Sequence, residues 1–228
     1  MRPHARLVSL PKLAFPALRG AFAALLLTLC GCLHLKQELI IHRNGSARLL
    51  LHYSLPEDNL PLVRQLLQTA DSANPDDSEP AWWLNRQACR DYLENTGLKL
   101  ERHRTYTADN RTNTILECRT ENLHDALENG PLKNLQLSET PDGNLLITVQ
   151  NPELHSLRQP ERIPENLRIE LVITTPTDII QTNGTQTEDR TVTWLVTRET
   201  LVQDGIVDFS VEFEPRGGTN RSAEEIQQ

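Results

Sequence analysis

The chain of 228 residues lacks most of the sequence features that indicate an enzymatic reaction. Aromatic residues make up 4% of it, and it has four cysteines and one methionine. It contains no HExxH, nucleophile-elbow, phosphate-binding glycine loop or EF-hand motif, which removes the common sequence arguments for an enzyme. The alternating strands place their charged residues on one solvent-side face, with no His, Asp or Glu inside an apolar stripe, so we predict no enzymatic activity, no cofactor and no bound metal. The few aromatic residues also argue against a carbohydrate-binding surface. Its 38% hydrophobic and 24% charged residues are enough for a packed globular body and exclude wholesale disorder.

Basic and acidic residues are unevenly distributed along the chain. The charged residues before Cys32 are all basic: Arg2, Arg6, Lys12 and Arg19. Residues after Cys32 include 19 basic and 31 acidic side chains, a formal net charge of −12. Such an acidic body repels phosphate backbones and anionic membrane surfaces, so we predict no nucleic-acid partner.

Residues 1–31 have the organisation of a secretory signal peptide. A basic segment without acids, residues 1–19, precedes the apolar run GAFAALLLTL at 20–29 and the junction Leu29-Cys30-Gly31-Cys32. A retained membrane span would need roughly 20 apolar residues, more than this run provides. The junction resembles the bacterial lipobox, which implies that residues 1–31 are removed and that Cys32 carries diacylglycerol. The alternative is an ordinary secreted protein.

The residue after Cys32 bears on the destination of the protein. By the same resemblance, Leu33 stands where enteric bacteria place the Asp that retains a lipoprotein in the inner membrane. We therefore predict an exported protein that is lipid-anchored to the bacterial envelope, in the outer membrane and facing the periplasm. Its membrane partner would be reached through the N-terminal anchor.

Cys89 and Cys118 are the cysteines that remain after lipidation of Cys32. An even pair in an oxidising compartment favours a disulfide between them. The alternative is two unpaired buried thiols, because Cys packs well as a small hydrophobic residue. Without a CxxC motif or a Cys/His cluster, a structural zinc site is not expected.

Alternating apolar residues near the start of the mature chain predict a β-hairpin. A three-residue loop, Arg43 to Gly45, pairs Ile41 with Ala47 and keeps the apolar residues of both strands on one face. A two-residue loop would instead place the apolar residues of one strand on the same face as the polar residues of the other. The opposite face carries charged side chains such as Lys36 and Glu38 and is interpreted as solvated rather than as a metal site.

The same patterns along the rest of the chain predict an α+β fold. Two amphipathic helices, near residues 58–70 and 80–95, follow the hairpin. Short turns between neighbouring strands favour a mainly antiparallel sheet with helices on one face. Residues 32–214 form one domain or two closely packed halves dividing near residue 130, and residues 215–228 form a flexible tail. The nine predicted strands lie near residues 33–42, 47–53, 98–107, 113–120, 133–138, 145–150, 167–173, 192–196 and 207–213.

A pair of tryptophans and a pair of loops outside the predicted core are candidate functional sites. Trp82 and Trp83 are consecutive and point about 100° apart on a helix, so one of them is left off the buried stripe. Trp83 is therefore a candidate binding residue, unless the loop 71–79 covers it. The loops 151–165 and 177–190 hold His155, Glu161, Asp178 and Glu188, from which a hydrolase site could be assembled.

Several segments together resemble bacterial lipoproteins with an LppM-like domain. They are the lipobox, the tip Asn44-Gly45-Ser46, the helical insert, Pro176-Thr177-Asp178-Ile179-Ile180, Asn183-Gly184 and Thr191-Val192-Thr193-Trp194. The resemblance implies an envelope-anchored domain, with lipid or membrane-surface binding in some relatives, and it transfers no catalytic residue. We predict a non-catalytic binding or scaffolding domain for an envelope protein or lipid. A lipid-handling module and a periplasmic hydrolase are the alternatives.

Overall fold

The structure, a computed structural model, describes residues 34–61, 82–127, 130–150, 165–203 and 208–215. Three α-helices have their bounds in these ranges: α1 (Arg86–Glu94), α2 (Leu123–Leu127) and α3 (Arg198–Gln203). The strands with bounds there are β1 (His34–Ile41), β2 (Ala47–Pro56), β3 (Lys99–Ala108), β4 (Arg111–Thr120), β5 (Leu135–Glu139), β6 (Leu145–Val149), β7 (Arg168–Thr174), β8 (Ile179–Thr182), β9 (Thr185–Glu188), β10 (Thr191–Thr197) and β11 (Phe209–Phe213).

The first hairpin, β1 and β2, has the predicted register. Its loop is closed by a hydrogen bond of 2.9 Å from His42 N to Ser46 O, and Gly45 has a φ of +83°, which a side chain would resist. Asn44 Oδ1 accepts hydrogen bonds from the backbone N and the hydroxyl of Ser46. The three-residue loop is thereby confirmed, with Ile41 opposite Ala47 and Leu39 opposite Leu49.

The strands form two sheets. The seven-stranded sheet has the order β3-β4-β2-β1-β7-β10-β9, and the four-stranded sheet has the order β5-β6-β11-β8. The pairs are antiparallel except for β1 and β7, which run parallel with His34 opposite Arg168 and Ile40 opposite Thr174. The predicted mainly antiparallel α+β class is confirmed, but it did not include this parallel pair, which places β1 inside the larger sheet.

One hydrophobic cluster joins the two sheets. Alternate residues of the larger sheet point into it because successive side chains of a strand lie on opposite faces. Leu39, Leu49 and Leu116 are fully buried there, and Ile147 and Val211 of the smaller sheet are buried in the same cluster. The cluster therefore contains residues from both sides of residue 130.

The helix α1 begins later than predicted. Asn85 has an extended backbone, and its side-chain oxygen accepts hydrogen bonds from the N–H groups of Gln87 (2.8 Å) and Ala88 (3.1 Å). This cap satisfies donors that a helix leaves free at its start, so the helix begins after Asn85 rather than near residue 80. The segment Trp82–Leu84 forms a 3-10 turn instead. The predicted helix at 58–70 lies mostly outside the described residues.

Two strands were not predicted. The segment 177–190, expected to be a loop, contains β8 and β9. They are four residues long and mostly polar, so they lack the apolar alternation by which the nine others were recognised. The strand β8 pairs with β11 in the smaller sheet, and β9 pairs with β10 in the larger one. The loop at 151–164 and the tail at 216–228 lie outside the described residues.

Asn183, in the turn between β8 and β9, connects the two sheets. Its side-chain oxygen accepts hydrogen bonds of 2.9 Å from Trp194 Nε1 on β10 and from Ser210 N on β11. Its side-chain nitrogen donates to Asp208 O at 3.0 Å. One side chain therefore satisfies three groups on two segments and fixes the position of the Trp194 ring.

Gly184 lies against that ring. A Cβ atom placed on Gly184 would come within 2.6 Å of Cε2 and Nε1 of Trp194 and of Cγ2 of Val192. The Trp194 ring is 5% exposed and stacks on Phe209 with the ring centroids 5.4 Å apart. The close approach of the turn to the ring therefore requires glycine at this position.

Candidate functional site

The predicted lipid attachment residue, Cys32, and the residues Leu29 and Gly31 that define its junction lie outside the described residues. His34, two residues further, begins β1 in the interior of the seven-stranded sheet. Two residues of extended chain span at most about 7 Å. A lipid on Cys32 would therefore hold this end of the sheet close to the membrane.

The two remaining cysteines lie in the common hydrophobic cluster. Cys89 on α1 and Cys118 on β4 are fully buried, and both are free thiols in the structure. Burial raises the pKa of each thiol to about 12, and for Cys118 the nearby Cys89 adds to the effect. Because the thiolate is the reactive form, the folded core protects both thiols from oxidation. The disulfide between them stays a prediction.

We expect the Cys89–Cys118 bridge to form in protein exported to an oxidising compartment, before the core closes over the thiols. A bridge enclosing about 30 residues stabilises by roughly 3 to 4 kcal/mol in the chain-entropy model. Thiol titration of unreduced, denatured protein from the envelope should find neither thiol reactive, whereas protein made in a reducing cytoplasm should show both. Two reactive thiols in the exported protein would contradict the bridge.

Trp83 lies in the 3-10 turn rather than on the helix. Its half-buried ring stacks on Tyr53 of β2 with the centroids 4.8 Å apart and the planes inclined by 9°. His103 Nε2 lies 2.9 Å from Trp83 O and holds the turn against β3. One face of the ring is thus occupied by Tyr53, and the binding role of Trp83 stays a prediction.

The residues proposed for a hydrolase site are not brought together among the described segments. Asp178 precedes β8 and Glu188 ends β9, and both are exposed. His155 and Glu161 lie outside the described residues. Within the part of the chain that the structure describes, no group of three His, Cys, Asp or Glu side chains is placed to hold a metal ion.

The outer face of the seven-stranded sheet, opposite the core, carries an excess of basic side chains that net charge alone does not reveal. The registers of the seven strands place four carboxylates on it, those of Glu38, Glu117, Glu170 and Glu188. Glu101, at the register shift in β3, lines a cleft at its edge together with Lys99 and Arg119. Eight basic residues share this face, which we call the basic sheet face: Lys36, Arg48, Lys99, Arg102, Arg104, Arg111, Arg119 and Arg168.

Two of the carboxylates are each flanked by two basic side chains. Glu117 is 2.9 Å from Arg48 and 3.4 Å from Arg102, and its side chain is 18% exposed against 44% and 57% for the arginines. Glu170 is 3.1 Å from Lys36 and 3.4 Å from Arg168, with 22% of its side chain exposed against 44% and 50%. Each group has a net charge of +1, with the basic groups outermost.

The end of this face nearest to Cys32 is its most basic part. Arg168 begins β7 opposite His34, Arg111 begins β4 at the same end, and Lys36 on β1 lies opposite His52. Burial, and then the positive charges of Arg111, Arg168 and His52, lower the pKa of His34. At the other end of the face, Arg119 is paired with Glu121 at 2.9 Å.

The alternation in the first hairpin identified the charged face of β1 and β2, but not its extension over five strands. Arg102 and Arg104 on β3 and Arg168 on β7 join it only through strand pairing between segments far apart in sequence. A signal was present in the spacing, because Arg102 and Arg104 alternate, as do Glu117 and Arg119. The charges of these residues could not be assigned to one face without knowing the strand order.

Fold and surface define the class of this protein: a two-sheet α+β domain with one basic sheet face next to its N-terminal segment. The chain belongs to the LppM domain family, whose profile matches residues 65–203. The family resemblance seen in the sequence is thus confirmed. The chain also resembles the NMR structure of the folded domain of the Mycobacterium tuberculosis LppM protein, with a TM-score of 0.42, 13% identity, and 83% of this chain and 94% of that chain covered.

No curated protein matches the chain. Among the described residues, no helix combines the length and the apolar composition that crossing a membrane requires.

Proposed function

We propose that this protein is a non-catalytic binding domain, tethered to the outer membrane through Cys32 and facing the periplasm, and that it binds acidic lipid headgroups through the basic sheet face. The observation that carries the proposal is the segregation of charge. A chain with a net charge of −12 after Cys32 places eight basic residues and four carboxylates on one side of one sheet.

The position of the tether favours a membrane as the anionic partner. The most basic end of the face begins at His34, within about 7 Å of Cys32. At physiological ionic strength, charges act over roughly 8 Å, so only a surface this close attracts them effectively. Basic residues next to an acidic leaflet contribute about 1 kcal/mol each. The anchor would thus bring the basic side chains within range of the headgroups.

A non-catalytic role is supported by how the described carboxylates of this face are used. Glu117 and Glu170 lie under basic side chains and form ion pairs with them. Catalytic acids and bases are usually partly buried groups whose pKa values are shifted toward the working pH. The geometry of these two carboxylates suits a structural role that positions the arginines and Lys36.

Vesicle binding tests the proposal directly. The chain from residue 32 onward, with Cys32→Ser so that no lipid contributes, should sediment with vesicles containing phosphatidylglycerol and not with phosphatidylcholine vesicles, and added NaCl should release it. The double variant Arg102→Gln/Arg104→Gln should weaken binding roughly thirtyfold, because two charges at about 1 kcal/mol each are removed. Glu117 keeps its closer partner, Arg48, in this variant.

A matched control separates the face from net charge. Arg86 and Arg90 are exposed on α1, away from the basic sheet face, so Arg86→Gln/Arg90→Gln removes the same charge elsewhere. This variant should bind the acidic vesicles within about twofold of the parent. Equal losses in the two double variants, or no binding by the parent at low salt, would overturn the assignment of the face.

A further inference from the structure

A small cavity opens at the end of the molecule opposite to Cys32, beside the loop between β1 and β2. Its volume is about 140 Å³. The loop, the segment leading into α2, and the smaller sheet enclose it. Its apolar lining residues come from six different segments: Ile41, Leu123, Leu137, Leu145, Pro176 and Phe213.

The polar rim of this cavity is basic. His42, Arg43 and His124 line it together with Gly45 and Asn122, and no carboxylate is among its lining residues. Arg43 Nε donates a hydrogen bond of 3.4 Å to Pro176 O, which keeps the guanidinium beside the opening. Because acidic residues outnumber basic ones in this chain, a rim with basic groups and no acid is a local departure that favours an anionic ligand.

Hydrogen bonds within the chain hold the walls of the cavity in place. Leu123 N donates to Gly45 O at 3.0 Å, which ties the entry of α2 to the hairpin loop. Asn44 holds the same loop through Ser46 N at 3.1 Å. A preformed site loses little conformational freedom when a ligand enters, so even a small ligand can be bound.

We propose that this cavity binds a carboxylate that carries one apolar group of about the size of a benzene ring or a leucine side chain. An apolar protein cavity of about 150 Å³ is known to accommodate benzene, which sets the size of the group. The apolar walls remove that group from water, Arg43 pairs with the carboxylate at the rim, and the two histidines offer N–H donors beside it. Such a carboxylate occurs at the C-terminus of a polypeptide and in small aryl or alkyl acids.

Calorimetric titration of the full chain in mild detergent tests this inference, with phenylacetate as the probe and neutral phenylacetamide as its matched control. Phenylacetate should bind at least about tenfold more tightly than the amide, since only the acid uses the basic rim. Arg43→Gln should lower affinity for phenylacetate about tenfold and leave the amide unchanged. Arg168→Gln, which removes an arginine from the basic sheet face, should change neither affinity.

A second variant tests the apolar part of the site. Leu137 is partly exposed at the cavity, so Leu137→Trp should fill it and abolish binding of both probes while the thermal unfolding transition is retained. Equal affinity for acid and amide, equal effects of Arg43→Gln and Arg168→Gln, or undiminished binding by the Leu137→Trp variant would overturn the proposal. The outcome does not depend on vesicle binding, because the basic sheet face is elsewhere.

The two sources of the carboxylate are separated by a third probe. If the site recognises the C-terminus of a polypeptide, the peptide N-acetyl-Gly-Gly-Phe with a free C-terminus should bind about tenfold more tightly than phenylacetate. The same peptide with a C-terminal amide should not bind. A peptide no tighter than phenylacetate assigns the site to small acids. Failure of both the peptide and phenylacetate to bind would end the proposal.

Discussion

Cys32→Ser is expected to move the protein from the membrane fraction to the soluble fraction of the cells that export it. Serine cannot form the thioether to diacylglycerol, so the variant loses every acyl chain at once. Each buried CH₂ group contributes about 0.8 kcal/mol, and a lipoprotein carries more than the single chain that gives only marginal attachment. Mass spectrometry of the mature N-terminus should find a diacylglyceryl-modified cysteine at residue 32 in the parent protein.

The neighbouring cysteine provides the control for this experiment. Cys30 stands where the lipobox more often has Ser, so Cys30→Ser should leave the protein in the membrane fraction. Membranes should be washed at high salt, because the basic sheet face would hold some unlipidated protein at low salt. Retention of the Cys32→Ser variant after that wash, or a mature N-terminus at another residue, would contradict lipidation at Cys32.

Gly184→Ala is expected to lower the free energy of unfolding by about 3 kcal/mol, the upper range for overpacking a filled site. The new methyl group would lie 2.6 Å from the ring of Trp194. That ring cannot move away easily, because Asn183 accepts a hydrogen bond from its nitrogen and Phe209 stacks on it. Urea denaturation followed by circular dichroism measures the difference.

Two variants show whether the contacts with Trp194 and Val192 are the cause. Gly143 has a φ of +80°, but the nearest atom to a Cβ there is Glu139 Oε1 at 3.9 Å, so Gly143→Ala should cost only about 1 kcal/mol of backbone strain. In a Val192→Ala/Trp194→Leu background, the additional cost of Gly184→Ala should fall below about 1 kcal/mol, because both side chains that a Cβ at residue 184 would meet at 2.6 Å are cut back. An undiminished cost in that background would refute the steric explanation.

Local sequence patterns were sufficient to predict the elements whose structure depends on residues close together in the chain. The register of the first hairpin followed from the alternation of Leu39, Ile41 and Leu49 and from the need for glycine at residue 45. A shift of one residue would have turned every apolar side chain outward, so only one register was physically reasonable. The helix α1 was found for the same reason, although the cap at Asn85 moved its start.

The features that could not be predicted from the sequence depend on strand pairing between segments that are far apart in the chain. Nothing local in β1 and β7 indicates that they are parallel neighbours, because their pairing depends on which edges remain open after the hairpins form. The basic sheet face depends on that pairing and on the pairing of β3 with β4. The strands β8 and β9 are short and polar, and they are stabilised by adjacent strands and by Asn183 rather than by their own composition.

The parallel pairing of β1 with β7 bears on when the protein can fold during export. His34 and Arg168 are neighbours in the sheet but roughly 130 residues apart in the chain, and such distant contacts form slowly because a long loop must close first. In an exported chain, β1 would have an open edge that can pair with other chains until β7 has crossed the inner membrane. In a lipoprotein, cleavage and acylation at Cys32 would then act on a chain whose central strand is still half paired, and a chaperone that shields this edge would raise the yield of folded protein.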